Sequence, residues 1–343
     1  MKNSLTGSKK RIGYIDLYRC AGIVLMVMGH IGFGMGFDHF IHAFHMPMFF
    51  FMSGYFYRGD KVTEKRGVYI THKMRNLLVP YIAFGLLQYF IWLVVNAKLD
   101  MEKSWETLCH LLFINTDGLP IAGALWFLTS LFIVEVCYYL LDRYIKNRAV
   151  LTTIIICLAF LGTCVMPGMP VRLPWAMDAS MVGILFYHIA RMLKCYSGDR
   201  FIDKLFHMNL AEGIILTGLC VVSIFFNGEV NMRTGSYATV VVSLLNAVVA
   251  SLLLWNLAQF VYEKLQKTHL GKEINKNLEY IGKNSIVYVC LNQLVILGVH
   301  KGVGIFGIPV QGNVVIILIL TMIALQVATY IIINTKLCCL IGR

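Results

Sequence analysis

The chain has 343 residues, of which 58% are hydrophobic and 14% charged, with a formal net charge of +12. A mean hydropathy of +0.70 excludes a soluble domain. Repeated apolar runs of about twenty residues, separated by short basic loops, point instead to an all-α polytopic integral membrane protein, and topology accounts for the positive excess without any affinity for nucleic acid.

About ten transmembrane helices are expected, near 14–35, 41–57, 76–96, 122–141, 150–167, 175–193, 210–227, 237–262, 283–300 and 312–334. An even number puts both termini on one side. With that side cytoplasmic, only Lys98, Lys103, Arg172, Arg233 and Lys301 of the 30 lysines and arginines fall outside. The positive-inside rule therefore places both termini in the cytoplasm. The whole chain, 1–343, reads as one membrane domain. Its first run follows Lys9-Lys10-Arg11 as a signal peptide would, but its length, its internal charges and the missing small-residue cleavage site favour a retained helix.

That first span carries Asp16, Arg19 and His30 in an otherwise apolar run. Arg19 and His30 are eleven residues apart, within about twenty degrees of three full helical turns, so both leave one face roughly 16 Å apart. Asp16, three residues before Arg19, is close enough to offset part of its charge. An arginine in a bilayer costs about 2.5–3.5 kcal/mol, which favours a protein interior or a wet cavity. The simpler alternative is that Asp16 and Arg19 snorkel at the inner headgroups and His30 at the outer ones.

The second span contains His42-Ala43-Phe44-His45-Met46-Pro47 and continues to Ser53-Gly54. His45 is expected at the depth of His30, and two histidines at one depth on adjacent helices suggest a polar pocket. Ser53-Gly54 reads as a helix-packing point. The following loop holds six basic residues from Arg58 to Arg75. Topology explains most of that charge, but Arg75 at the helix mouth also suits a polyanionic ligand. Trp126 lies at the outer end of span four, where an interfacial belt residue is the ordinary reading. Asp178 enters span six just below the interface and needs a partner or a pocket. Asn292-Gln293 lie near the middle of span nine, where amides bond neighbouring helices.

The ten cysteines are scattered through apolar runs without zinc-ligand spacing, so neither a metal site nor a disulfide frame is expected. No Gly-x-Ser-x-Gly elbow, Walker loop or Rossmann glycine fingerprint is present.

In order along the chain, these landmarks resemble the membrane acyltransferase 3 family, in particular its fucose 4-O-acetylase-like branch. The matching features are Arg19-x10-His30 behind Ile15-Asp16, His45-Met46-Pro47 to Ser53-Gly54, and Arg75 before Pro80-Tyr81. Leu125-Trp126-Phe127, Leu173-Pro174-Trp175 to Asp178, and Gly282-Lys283-Asn284-Ser285 complete the set. The resemblance implies a multi-pass enzyme of the bacterial cytoplasmic membrane. It would take an acetyl or other acyl group from acyl-CoA inside and pass it to a hydroxyl of a sugar or cell-envelope glycan. It implies His30 as catalytic base and Arg19 as a CoA or structural partner; helical spacing and depth add Asp16 as support for Arg19 and His45 as a neighbour of His30. Arg75 and Arg19 are then the donor-binding candidates, and Trp126, Asp178 and Asn292 the acceptor-side candidates. Members often carry a histidine where this chain has Asn292; an amide cannot act as a base but can position one.

Elementary chemistry agrees on the base, because acyl transfer to a hydroxyl needs one near neutrality and histidine has that unperturbed pKa. An oxyanion donor is also needed, and His45, Trp126 and Asn292 all qualify by residue type. The rival reading is a carrier or flippase for a polysaccharide precursor or small polar molecule, which would also place polar groups and glycines within the membrane.

Overall fold

The structure, a computed structural model, describes residues 12–59, 66–95, 101–114, 124–170, 172–305, 307 and 312–343. Helix α1 (Gly13–Ile31) ends at Gly32, whose left-handed backbone (φ +86°) lets its N–H close onto the Met28 carbonyl. Then come α2 (Met35–His42), α3 (Pro47–Tyr55) and a long helix comprising α4 (Arg66–Lys73), a π-helical turn over Met74–Leu78 and α5 (Val79–Val95). The central elements are α6 (Met101–Cys109), α7 (Trp126–Tyr144), α8 (Arg148–Phe160) and α9 (Met177–Cys195). After α10 (Arg200–Phe206) and α11 (Leu210–Asn227), a two-stranded hairpin pairs β1 (Val230–Asn231) with β2 (Ser236–Tyr237) antiparallel. The chain finishes with α12 (Val240–Leu265), α13 (His269–Lys283), α14 (Ser285–Ile305) and α15 (Val314–Asn334).

Among the described residues, seven helical stretches are long and apolar enough to cross a bilayer. The fold is therefore an all-α polytopic membrane bundle. Helices α7 and α9 are each 19 residues long and bury polar groups, including Glu135, Asp142, Asp178 and His188, inside it.

The segment 41–57 is not the single helix expected of it. It breaks at residues 43–46, leaving α2 and the nine-residue α3. Pro47 opens α3 at its first turn, where the missing N–H costs little, but it cannot donate back to Ala43 to carry α2 onward. At about 1.5 Å per residue, α3 reaches only part of the way across a bilayer. It is nonetheless buried, with Met48, Phe50 and Phe51 fully enclosed. Helix α13, amphipathic and rich in lysine, was not anticipated either.

Lipid tails are as apolar as these side chains, so burial alone does not hold the helices together; close backbone approach at small residues does. Gly54 puts α3 against the Tyr187 backbone of α9, where any Cβ would collide with that carbonyl. Gly282, at the end of α13, lies in the same way against the Asp16 carbonyl of α1. Gly282→Ala is therefore expected to push α13 off α1 and cost about 1–3 kcal/mol, in line with overpacking elsewhere. Thermal unfolding in detergent should show this as a lower melting temperature. Gly302→Ala, where nothing lies within 4 Å of the added atom, should leave the melting temperature level or raise it.

Candidate active site

His30 sits in the last turn of α1 and Asn292 in the second turn of α14. His30 Nδ1 and Asn292 Oδ1 are 2.6 Å apart. The Asn292 amide can face only one way, because its NH2 group donates to the carbonyls of Val289 (2.7 Å) and Tyr288 (3.1 Å) on its own helix. Its oxygen therefore meets the imidazole, and Nδ1–H is the donor. In the neutral ring this fixes the tautomer and leaves the Nε2 lone pair free to accept a proton.

His30 lines a cavity of about 110 Å³ with Met26, His42, His45, Trp126, Phe127 and Arg233 among its walls. Of the residues singled out in the sequence, the structure brings His30, His45 and Trp126 together there. Trp126 opens α7 and is 3% exposed. His45 donates Nδ1–H to the Ile41 carbonyl (2.7 Å), and His42 donates likewise to Asp38 (2.6 Å). Their rings meet edge to face at 5.1 Å. Both acceptors are carbonyls, so in the neutral rings each Nε2 is again the unprotonated nitrogen.

The other predicted residues lie elsewhere. Asn292 is fully buried behind His30 rather than on the cavity wall. Arg19 is not among the cavity residues. It lies toward the opposite end of α1, 3.3 Å from Asp16 Oδ1 and with Nε 3.2 Å from Met52 Sδ of α3. Asp16 is buried and Arg19 half-buried. Arg75 is exposed in the π-helical turn, and its carbonyl lies against Gly342 near the C-terminus.

Asp178 belongs to a neighbouring, smaller cavity of about 30 Å³, shared with Arg172, Met232 and Tyr237. It is 5% exposed and its carboxylate pairs with Arg172 Nε. Two residues just before α9, Trp175 and Ala176, hold φ of +56°, an uncommon region for bulky side chains. The Trp175 indole is anchored by donating to the Leu112 carbonyl at 2.7 Å. Arg172 in turn donates Nη2–H to the Arg233 carbonyl at 2.6 Å, which ties the hairpin to the start of α9. Burial, followed by the nearby Asp178 carboxylate, raises the Tyr237 hydroxyl above its ordinary pKa and keeps it protonated beside this pair.

Three contributors escaped the sequence reading. His42 had a visible signal, its i, i+3 spacing from His45. Arg172 lies six residues before Asp178 and was the nearest cation to it in sequence. Arg233 gave no signal beyond its charge. Among the described residues there is no group of three or more His, Cys, Asp or Glu side chains that could hold a metal ion.

The model of the acyltransferase domain family matches residues 12–333, almost the whole chain. The chain belongs to this membrane acyltransferase family. Comparison with curated proteins and with solved structures gave no match. Membership makes the protein a transferase of acyl groups embedded in a bilayer, and its His30 cavity is where the bundle brings suitable acid–base groups together.

Proposed function

We propose that this acyltransferase moves an acetyl or similar acyl group from cytoplasmic acyl-CoA to a hydroxyl of a sugar or cell-envelope glycan, with His30 as general base. The observation that carries the reading is the His30–Asn292 contact, which presents Nε2 in the form that accepts a proton. The chain then acts as one unit, 1–343, in a bacterial cytoplasmic membrane. Its positive face, with Arg19 and Arg75, lies toward the cytoplasm, and the His30 cavity lies toward the outside.

In this scheme the acceptor hydroxyl gives its proton to His30 Nε2 as its oxygen attacks the thioester carbonyl. The resulting oxyanion collapses, the C–S bond breaks, and His30 returns the proton to the leaving thiolate, so that ester and free CoA are the products. Of the candidates for the oxyanion, Trp126 keeps an indole N–H at the cavity, whereas the Nδ1–H of His45 is already given to Ile41 and the NH2 of Asn292 to Tyr288 and Val289. The roughly 16 Å between Arg19 and His30 along α1 suits a donor whose charged end stays near the basic face while its thin arm reaches inward.

The donor side is tested separately. Arg75→Ala should weaken acetyl-CoA binding, measured by calorimetry on purified protein, without affecting membrane insertion. Lysine should restore it only in part, because a point charge does not reproduce the planar guanidinium fork. Equal affinity in Arg75→Ala and the parent would take Arg75 out of the donor site. The overall reading is tested by CoA release from acetyl-CoA in the presence of candidate glycosides, which a carrier would not produce.

A further inference from the structure

We propose that His42 and His45 form a hydrogen-bond-accepting subsite for hydroxyls that flank the one His30 deprotonates, so that the acceptor is a sugar with several neighbouring free hydroxyls. The term acceptor rests on the acyl-transfer reading above; the subsite's demand for O–H donors does not. Both rings turn back on the main chain four residues earlier. His42 gives Nδ1–H to the Asp38 carbonyl at 2.6 Å, and His45 gives its own to the Ile41 carbonyl at 2.7 Å. The Ile41 carbonyl also accepts the His45 main-chain N–H at 2.9 Å, so His45 is held at two points just beyond the end of α2. With Nδ1 committed in this way, Nε2 at the far end of each neutral ring carries the lone pair.

Both imidazoles line the His30 cavity and meet edge to face, with centroids 5.1 Å apart. Among the described residues, no protein group is bonded to either Nε2. His45 is buried, and a buried acceptor left without a donor costs more than an average hydrogen bond contributes. Together with His30 Nε2, three lone-pair nitrogens therefore border a space of about 110 Å³. A carboxylate, ester or ether oxygen would set lone pair against lone pair there. A hydroxyl donates to the imidazole, and its oxygen can still accept from another group. One isolated alcohol satisfies a single nitrogen, whereas a sugar presents several hydroxyls at once. A few placed polar groups in a small cavity are also what fixes a ligand's orientation, and here they would choose which hydroxyl reaches His30.

The test uses the full chain in nanodiscs without any acyl donor, so no turnover enters the result. Calorimetry compares methyl glucoside and methyl galactoside with analogues in which one hydroxyl at a time is replaced by fluorine. Fluorine is close to a hydroxyl in size but has no proton to give. For at least one of the sugars, replacement at two or more positions should weaken binding about five- to a hundredfold, the effect of leaving a buried acceptor unpaired. His42→Phe keeps a ring beside His45 but no acceptor, and should erase the loss at one of those positions. His42→Gln, which restores an acceptor oxygen, should bring part of it back. His45→Phe, checked for unchanged melting, should erase the loss at a different position. Undetectable binding of every probe, fluorinated analogues that bind as well as the parent sugars, or losses that persist in both phenylalanine variants overturn the subsite. The same discrimination in a protein that never releases CoA would discard the transfer reading and leave the subsite standing.

Discussion

His30→Gln is expected to lower acyl transfer by about two to four orders of magnitude, the usual contribution of a general base. Glutamine keeps a hydrogen-bonding group at the end of α1 and can still meet Asn292, but it cannot take the acceptor's proton. Expression, melting temperature and acetyl-CoA affinity should stay near those of the parent, because the proposed scheme puts the donor's charged end toward Arg19 and Arg75, away from His30. Arg19→Ala should behave differently. It leaves the buried Asp16 without its 3.3 Å partner, and stability should fall along with donor binding. Wild-type transfer by His30→Gln would move the base elsewhere, with His45 the first alternative, since its Nε2 is also unprotonated in the same cavity.

The second large effect is expected at Asn292. Replacing it with alanine removes the acceptor that fixes the His30 tautomer, and transfer should fall by about a hundredfold or more, as when the orienting member of a Ser-His-Asp triad is altered. Asn292→Asp keeps an oxygen facing Nδ1 and should recover a good part of that loss. A residue that merely packed α14 against α1 would not show that rescue, because aspartate, with no NH2 to donate, loses the bonds to Tyr288 and Val289. The split between kcat and KM should also separate the roles. Asn292→Ala should act on kcat, since the side chain stands behind the imidazole and away from the cavity wall.

Much of the architecture was legible because the bilayer restricts the choices. A chain in lipid must satisfy its backbone within helices, so hydropathy alone reveals an all-α bundle. The break between α2 and α3 had its cause in plain view at Pro47, but a run of aromatics and methionines around it reads equally well as one span. The π-helical turn carrying Arg75 and the amphipathic α13 depend on local hydrogen bonding and on docking against α1, neither of which periodicity reports.

The site was legible in part for a similar reason. Helical spacing ties residues on one element, and it singled out Arg19 and His30. It cannot show that the two face different neighbours, Met52 of α3 in one case and Asn292 of α14 in the other. The pairing of His30 with Asn292 spans 262 positions, and that of Arg172 with the Arg233 carbonyl spans 61. Contacts this distant in sequence follow from how the helices are arranged, and a single sequence carries no local mark of them. The need of Asp178 for a partner was legible from its burial cost, and the partner proved to be the arginine six residues earlier.

The most direct test of the central claim is the release of free CoA thiol from labelled acetyl-CoA by purified protein in proteoliposomes loaded with a mixture of glycosides. The account predicts that release and labelled acetyl ester on the glycosides rise together, in equal amounts, and that both vanish in His30→Gln. Glycosides that cross the membrane without acquiring label, or CoA release unchanged by His30→Gln, would contradict it.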